Sequence, residues 1–133
     1  MKLMLRVRHD GLPVAMSLAS ANQSENRLAE SLLEGDVQIP EVLLADRGFD
    51  DDQLRDRLAA RGVFLIAPHR RNRKRQHRHD GRHLRRYWRR FIVERTNSWL
   101  QTFRRLVVRY EYYSFLFDGF VSLACLIIVA RKL

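Results

Sequence analysis

The succession of apolar runs and helical patterns predicts an α/β layer fold with a partly parallel sheet. Three observations carry that expectation. Leu3 to Arg8 and Pro13 to Ala19 alternate apolar with polar or basic residues, the mark of half-buried strands. Val42-Leu43-Leu44-Ala45 and Val63-Phe64-Leu65-Ile66-Ala67 are short, continuous apolar runs, as in strands covered on both faces. Between and after them, apolar residues recur at the helical spacing of three and four.

Strands are expected at 3–8 and 13–19, joined through His9-Asp10-Gly11, where Asp-Gly favours a tight hairpin turn. Ser24 with a nearby acid marks a helix start, with Leu28, Leu32 and Leu33 facing inward up to Gly35. The strand at 41–45 ends abruptly in Asp46-Arg47-Gly48-Phe49-Asp50. Asp51 to Arg61 forms a charged helix with Leu54 and Leu58 inward, stopped by Gly62. Asp50, Asp51 and Asp52 most simply suit the positive end of its dipole, and Asp50 could also touch the surroundings of a site at Asp46. A strand at 63–67 is closed by Pro68. Residues 69–83 carry no hydrophobic period and read as a basic loop, mobile without a partner. A long helix is expected over 84–107 and a final helix over 113–130.

A chain of 133 residues can bury one real core but not two, so a single domain, 1–133, is expected. The formal net charge is +10 and arginine dominates over lysine. Such an excess attracts polyanions, nucleic acid first and an anionic membrane surface second. Arginine's bidentate phosphate geometry favours nucleic acid. Cys125, the only cysteine, sits in an apolar run as a small core residue, and a reducing cytosol fits. Met1 to Arg8 is too short and too charged for a signal peptide. Phe115 to Ala130, interrupted by Asp118, falls short of the roughly 20 residues that span a bilayer and reads as a core helix.

The candidate chemistry lies at two acids. On the expected long helix, Tyr87, Arg90, Glu94, Ser98 and Gln101 stack along one side. Trp88, Ile92, Thr96, Trp99, Phe103 and Leu106 lie on or near a more apolar one. Glu94 is the only acid between Tyr87 and Arg109, among arginines, so it is ionised and available to a metal or, more plainly, to a surface ion pair. Asp46 closes a buried strand, where ligands gather in open α/β sheets. The plainer alternative is that it caps a turn, as any Asp-x-Gly can. Two such carboxylates on one surface could hold Mg²⁺ and serve phosphodiester displacement.

From His69 to Arg90 eleven residues are Lys or Arg, and Asp80 is the one acid. Arg70, Arg71, Arg73, Lys74 and Arg75 would straddle phosphates, positioning DNA without reading its sequence; the alternative is a solvated charge run. Tyr87, Trp88 and Tyr110 could stack on a displaced base, although Trp88 and Trp99 also suit core anchors. His69, His77, His79 and His83 lack an accompanying cysteine and a regular spacing, which argues against zinc.

Leu44-Ala45-Asp46-Arg47-Gly48-Phe49-Asp50 resembles the segment around the second aspartate of bacterial insertion-sequence transposases of the DDE type. Tyr87, Arg90, Glu94 and Gln101, with two, three and six residues between them, are similar to that group's tyrosine, arginine, glutamate and lysine signature. Arg90 to Thr96, Phe103-Arg104-Arg105 and Val108-Arg109-Tyr110-Glu111 resemble the insertion-sequence-five family in particular. The resemblance implies a ribonuclease H-like fold, with Asp46 and Glu94 as catalytic metal-binding acids and Mg²⁺ or Mn²⁺ as cofactor. It implies DNA, both transposon ends and target, as partner, metal-dependent cleavage and strand transfer as activity, and a cytoplasmic, nucleoid-associated location with no membrane.

Two departures qualify it. Gln101 stands where the signature has lysine, and Arg104 or Arg105 could substitute one turn on. The family's first aspartate lies on a strand preceding the opening hairpin, and Asp10, in a turn, is at the wrong end to replace it. Without that strand the Leu3 and Val42 strands would show bare edges, open to pairing with another chain. The expectation is therefore the C-terminal part of a catalytic domain, a truncated remnant or the second frame of a frameshifting element. It would need the first Asp supplied to hold metal, and would self-associate or join an upstream-frame product. The alternatives are a catalytically inactive DNA-binding fragment or regulator, and a non-functional remnant.

Overall fold

The computed structural model describes residues 1–35, 38–79 and 81–133. It is a mixed α/β structure in which residues Met1–Asn22 and Phe91–Leu133 form one compact unit and Gln23–Arg90 another. Asp80 lies outside the described residues.

The Gln23–Arg90 unit is built on a parallel pair, β3 (Val42–Leu44) and β4 (Phe64–Ile66), with Val42 opposite Phe64 and Leu44 opposite Ile66. The Ala45 amide extends the ladder by donating to the Ile66 carbonyl at 3.0 Å. A parallel pair needs a crossover, supplied here by α2 (Asp52–Ala60). Asp51 starts that helix by accepting from the Leu54 amide at 2.9 Å, which satisfies one of its orphan donors. Leu54 and Leu58, one turn apart and fully buried, pack with Val63, Leu65 and Ala67 and with Ala29 and Leu33. Ala29 belongs to α1 (Glu25–Ser31), whose N-cap is Ser24 in extended backbone.

The other unit opens with the antiparallel hairpin β1 (Lys2–Val7) and β2 (Pro13–Ala19), followed by α3 (Phe91–Leu100), α4 (Arg104–Val107) and α5 (Ser114–Ala130). Gly11, at φ +89°, makes the hairpin turn, and a Cβ there would stand 2.9 Å from the Arg95 guanidinium. Thr96, fully buried on α3, donates its hydroxyl to the Gly11 carbonyl at 2.7 Å. Leu100, Ala124 and Ile128 form the core, joined by Leu5, Trp99 and Phe103. Cys125 is half-buried against it. Among the described residues no helix is long and apolar enough to cross a membrane.

The helix expected over 84–107 is not continuous. Arg82–Arg90 is a 3₁₀ helix, α3 ends at Leu100, and α4 restarts at Arg104. Residues 82–90 carry arginine on every side and bury none of their side chains fully, so like charges one turn apart repel with little apolar burial to offset the repulsion. At the other break, the Thr102 and Phe103 amides donate to the Trp99 and Leu100 carbonyls with i→i+3 spacing, which tightens and ends α3. Trp88, a candidate core anchor, is 65% exposed, whereas Trp99 packs on the core.

Thr96→Val keeps the shape but leaves a buried Gly11 carbonyl without its hydroxyl donor. Urea unfolding should show a loss of about 1–3 kcal/mol, with the midpoint falling and the slope unchanged.

Candidate active site and basic surface

Asp46 follows β3 directly, exposed at the carboxyl end of a parallel strand, with extended backbone at φ −79° and ψ −179°. Its Oδ1 accepts from the Gly48 amide at 2.8 Å, and its carbonyl accepts from the Phe49 amide at 3.1 Å. It therefore caps the single 3₁₀ turn Arg47–Phe49. Capping leaves most of its function open, because an ionised carboxylate offers about four acceptor sites. An exposed, oxygen-only ligand of this kind suits Mg²⁺, which is held by one or two carboxylates and keeps water and phosphate as its other ligands. Among the described residues no group of three His, Cys, Asp or Glu is gathered as a metal cage.

Four residues further on, Asp50 organises the surrounding charge. Its side chain is 1% exposed. Oδ1 accepts from Arg55 at 2.6 Å, His69 Nδ1 at 2.9 Å and Arg73 at 3.0 Å, while Oδ2 accepts from the Arg70 amide at 2.7 Å. Burial alone would push this carboxyl up, but the Arg70 amide, Arg55 and His69 together hold it well below the usual carboxylate range. Asp52 is likewise lowered, first by its bond from Arg73. Arg55, itself buried, also donates to the Ala67 carbonyl at the end of β4 at 2.9 Å.

The basic segment after β4 is thus fastened down in part. Arg73, expected on DNA phosphates, is turned inward instead. It is 6% exposed and donates to Asp50, to both oxygens of Asp52 at 2.9 Å and to the Gln76 carbonyl. The reason is electrostatic: Asp50 and Asp52 at the start of α2 present ionised carboxylates, and Arg73 divides its guanidinium between them, Nη1 on Asp50 and Nη2 on both oxygens of Asp52. Arg70 spends its guanidinium on the Gly48 and Arg47 carbonyls, at 2.7 and 3.2 Å. Arg71, Lys74 and Arg75 remain exposed, and Lys74 and Arg75 line an open cleft of about 350 Å³.

The histidines are used within the protein. His69 donates from Nδ1 to Asp50 and accepts at Nε2 from the Arg78 amide at 3.0 Å, a neutral ring. His79 stacks on it at 4.1 Å, donates from Nε2 to the Ala67 carbonyl and accepts at Nδ1 from the Gly81 amide. With both ring nitrogens of each engaged, neither is free to ligate zinc.

Tyr87 and Arg90 sit on the 3₁₀ helix, where residues three apart eclipse. Arg90 donates to the Tyr87 hydroxyl at 2.9 Å and lies over its ring at 5.2 Å. Glu94 and Ser98 are exposed on α3, and Gln101 is exposed just beyond it. Arg104 is exposed, while Arg105 pairs with Glu111 at 3.1 Å and covers Phe120. Asp46 belongs to the Gln23–Arg90 unit and Glu94 to the other. Sequence reasoning missed Asp50, Arg55 and His69 as one cluster; there the acids at 50–52 are visible as helix-dipole partners, with Asp50 also as a neighbour of the candidate site.

An exposed acid at the end of a parallel strand, a clamped basic segment and a run of exposed arginines define a strongly basic α/β protein. The sequence profile described as "Transposase DDE domain" matches residues 1–129, and the chain belongs to that family. It is 33% identical over 129 residues to a Burkholderia cepacia protein named for the transposase of insertion sequence element IS402. That alignment covers 90% of this chain and 57% of the relative, so the chain spans little more than half the relative's length. No solved structure matches it significantly.

The charge cluster has a pH signature. His69 is held below its ordinary 6.5, chiefly by burial. A lowered folded pKa means stability present above pH 6.5 and lost as pH falls, because a proton on Nε2 would face the Arg78 amide. Asp50, also lowered, adds stability that is full above its ordinary 3.8 and lost below it. The thermal midpoint should fall in two stages on acidification, and His69→Gln should flatten the upper one.

Proposed function

We propose that this chain acts in DNA transposition, as part of an insertion-sequence-five-type DDE transposase that binds DNA and cleaves and rejoins phosphodiester bonds at transposon ends. The observation that carries the reading is Asp46, an exposed carboxylate at the carboxyl end of a parallel strand in a member of the DDE family. The parallel β3–β4 pair with its α2 crossover, and the separate antiparallel hairpin, support a ribonuclease H-like layout. Asp46 and Glu94 would hold Mg²⁺ or Mn²⁺ together with a further aspartate supplied by a pairing chain, and the ion when bound supplies Lewis acidity at phosphate and water.

The chain's own groups do the rest. Arg71, Lys74 and Arg75 take backbone phosphates, with Tyr87 and Arg90 contributing from the 3₁₀ segment and Gln101, Arg104 and Arg105 from beyond it. Arg73 is excluded by its acids. Trp88, exposed and flanked by arginines, offers a base-stacking face. Strands β1 and β3 each have one hydrogen-bonded neighbour among the described residues, which supports self-association or pairing with an upstream-frame product. A bacterial cytoplasmic, nucleoid-associated location follows from such a substrate.

The test is a nicking assay on labelled DNA carrying the element's ends, with Mn²⁺. Little or no nicking is expected with the chain alone, and nicking is expected with a pairing polypeptide that supplies the further aspartate. Asp46→Asn and Glu94→Gln should each abolish nicking and leave binding intact. Replacing Arg71, Lys74 and Arg75 by alanine should flatten the salt dependence of binding by about 0.9 for each phosphate no longer neutralised. Binding without nicking even with that polypeptide, indifferent to both carboxylates, would reassign the chain as a DNA-binding regulator.

A further inference from the structure

The turn that carries Asp46 is intrinsically weak. It is one three-residue 3₁₀ turn, of a kind whose hydrogen bonds are poorly aligned and which seldom persists alone. The side chain of Asp46 is steadied through the Gly48 amide. If the turn frays, the amide leaves and the carboxylate rotates with it.

One side chain closes that turn from outside. Arg70 places Nη2 on the Gly48 carbonyl at 2.7 Å and Nε on the Arg47 carbonyl at 3.2 Å. Two donors of one rigid plane therefore bridge consecutive peptide units. Arg70 is fixed in turn by its backbone, whose amide donates to the buried Asp50 carboxylate, and Asp50 is locked by Arg55, His69 and Arg73. The bonds run without a gap from the core end of β4, through Arg55 and Asp50, to Arg70, the Gly48 peptide and the Asp46 carboxylate.

We propose that Arg70 is a positioning residue for Asp46, not a phosphate contact, and that buried Asp50 is the anchor that aims it. This rests on the reading of Asp46 as a metal-binding acid. A guanidinium can span both carbonyls, whereas an ammonium is a point charge that can satisfy one. Lysine would serve a phosphate contact but not this bridge. The distinction gives a clean test.

Amide hydrogen exchange at Gly48 in the full chain reads the turn directly. Arg70→Ala should accelerate it about tenfold, as expected for losing a charge-assisted bond at each carbonyl. Arg70→Lys should accelerate it nearly as much while leaving the salt dependence of DNA binding at the wild-type slope. Paramagnetic broadening of the Gly48 signal by Mn²⁺ supplies the second arm. With a pairing polypeptide that supplies the further aspartate, it should be present in the wild type, weakened about tenfold in apparent affinity by Arg70→Lys, and absent in Asp46→Asn. Unchanged Gly48 exchange in both Arg70 variants, with a shallower salt slope in Arg70→Ala restored by lysine, would overturn the proposal and make Arg70 a phosphate ligand. Mn²⁺ broadening that survives Asp46→Asn, or is missing from the wild type, would instead remove the metal reading, whatever the exchange rates show.

Discussion

One buried carboxylate sets the layout of the charged half of the Gln23–Arg90 unit. Asp50 is all but sealed from solvent and yet ionised, which is costly unless every lone pair is used. It is matched by two guanidinium groups, an imidazole N–H and a backbone amide. These partners come from α2 and from the segment after β4, so one side chain ties a helix start to a stretch of basic chain that has no apolar period of its own. Removing any partner would strand a charge in the interior, and the stretch therefore has one low-energy arrangement where its composition suggests many.

That is why the loop is the least legible part of the sequence. A run such as Arg70-Arg71-Asn72-Arg73-Lys74 shows charge but not direction. Nothing in it distinguishes Arg73, which faces inward, from Arg71, which faces out, because the difference is made by Asp50 and Asp52 some twenty residues earlier. The two short strands and the hairpin are readable because their apolar runs are self-contained. The helix expected over 84–107 breaks because regular spacing carries a cost of its own: residues 82–90 put arginines one turn apart with no core to hold them. Trp88 follows the same rule, since an aromatic inside a charge run has no sequence signal for burial. Asp46 is legible through its position after an apolar run, and the family match agrees with the motif around it.

On the proposed reading, the structural and the chemical role of Asp46 would not compete. The Asp-x-Gly turn uses one oxygen lone pair to organise its backbone, which fixes the rotamer and leaves the rest of the carboxylate facing solvent. A side chain that caps its own turn loses less freedom on binding a ligand than one that swings freely, because its ordering is already complete before the ligand arrives.

The unit formed by residues Met1–Asn22 and Phe91–Leu133 is assembled from two stretches far apart in the chain, stitched by bonds such as that from the Thr96 hydroxyl to the Gly11 carbonyl. The hairpin is made before the residues that complete its unit, and a lone two-stranded hairpin is marginal in water. The Gln23–Arg90 unit, contiguous in sequence, is made between the two halves. The hairpin therefore gains its core only once α3 and α5 have been made, and a chain cut short before Phe91 would leave it without one.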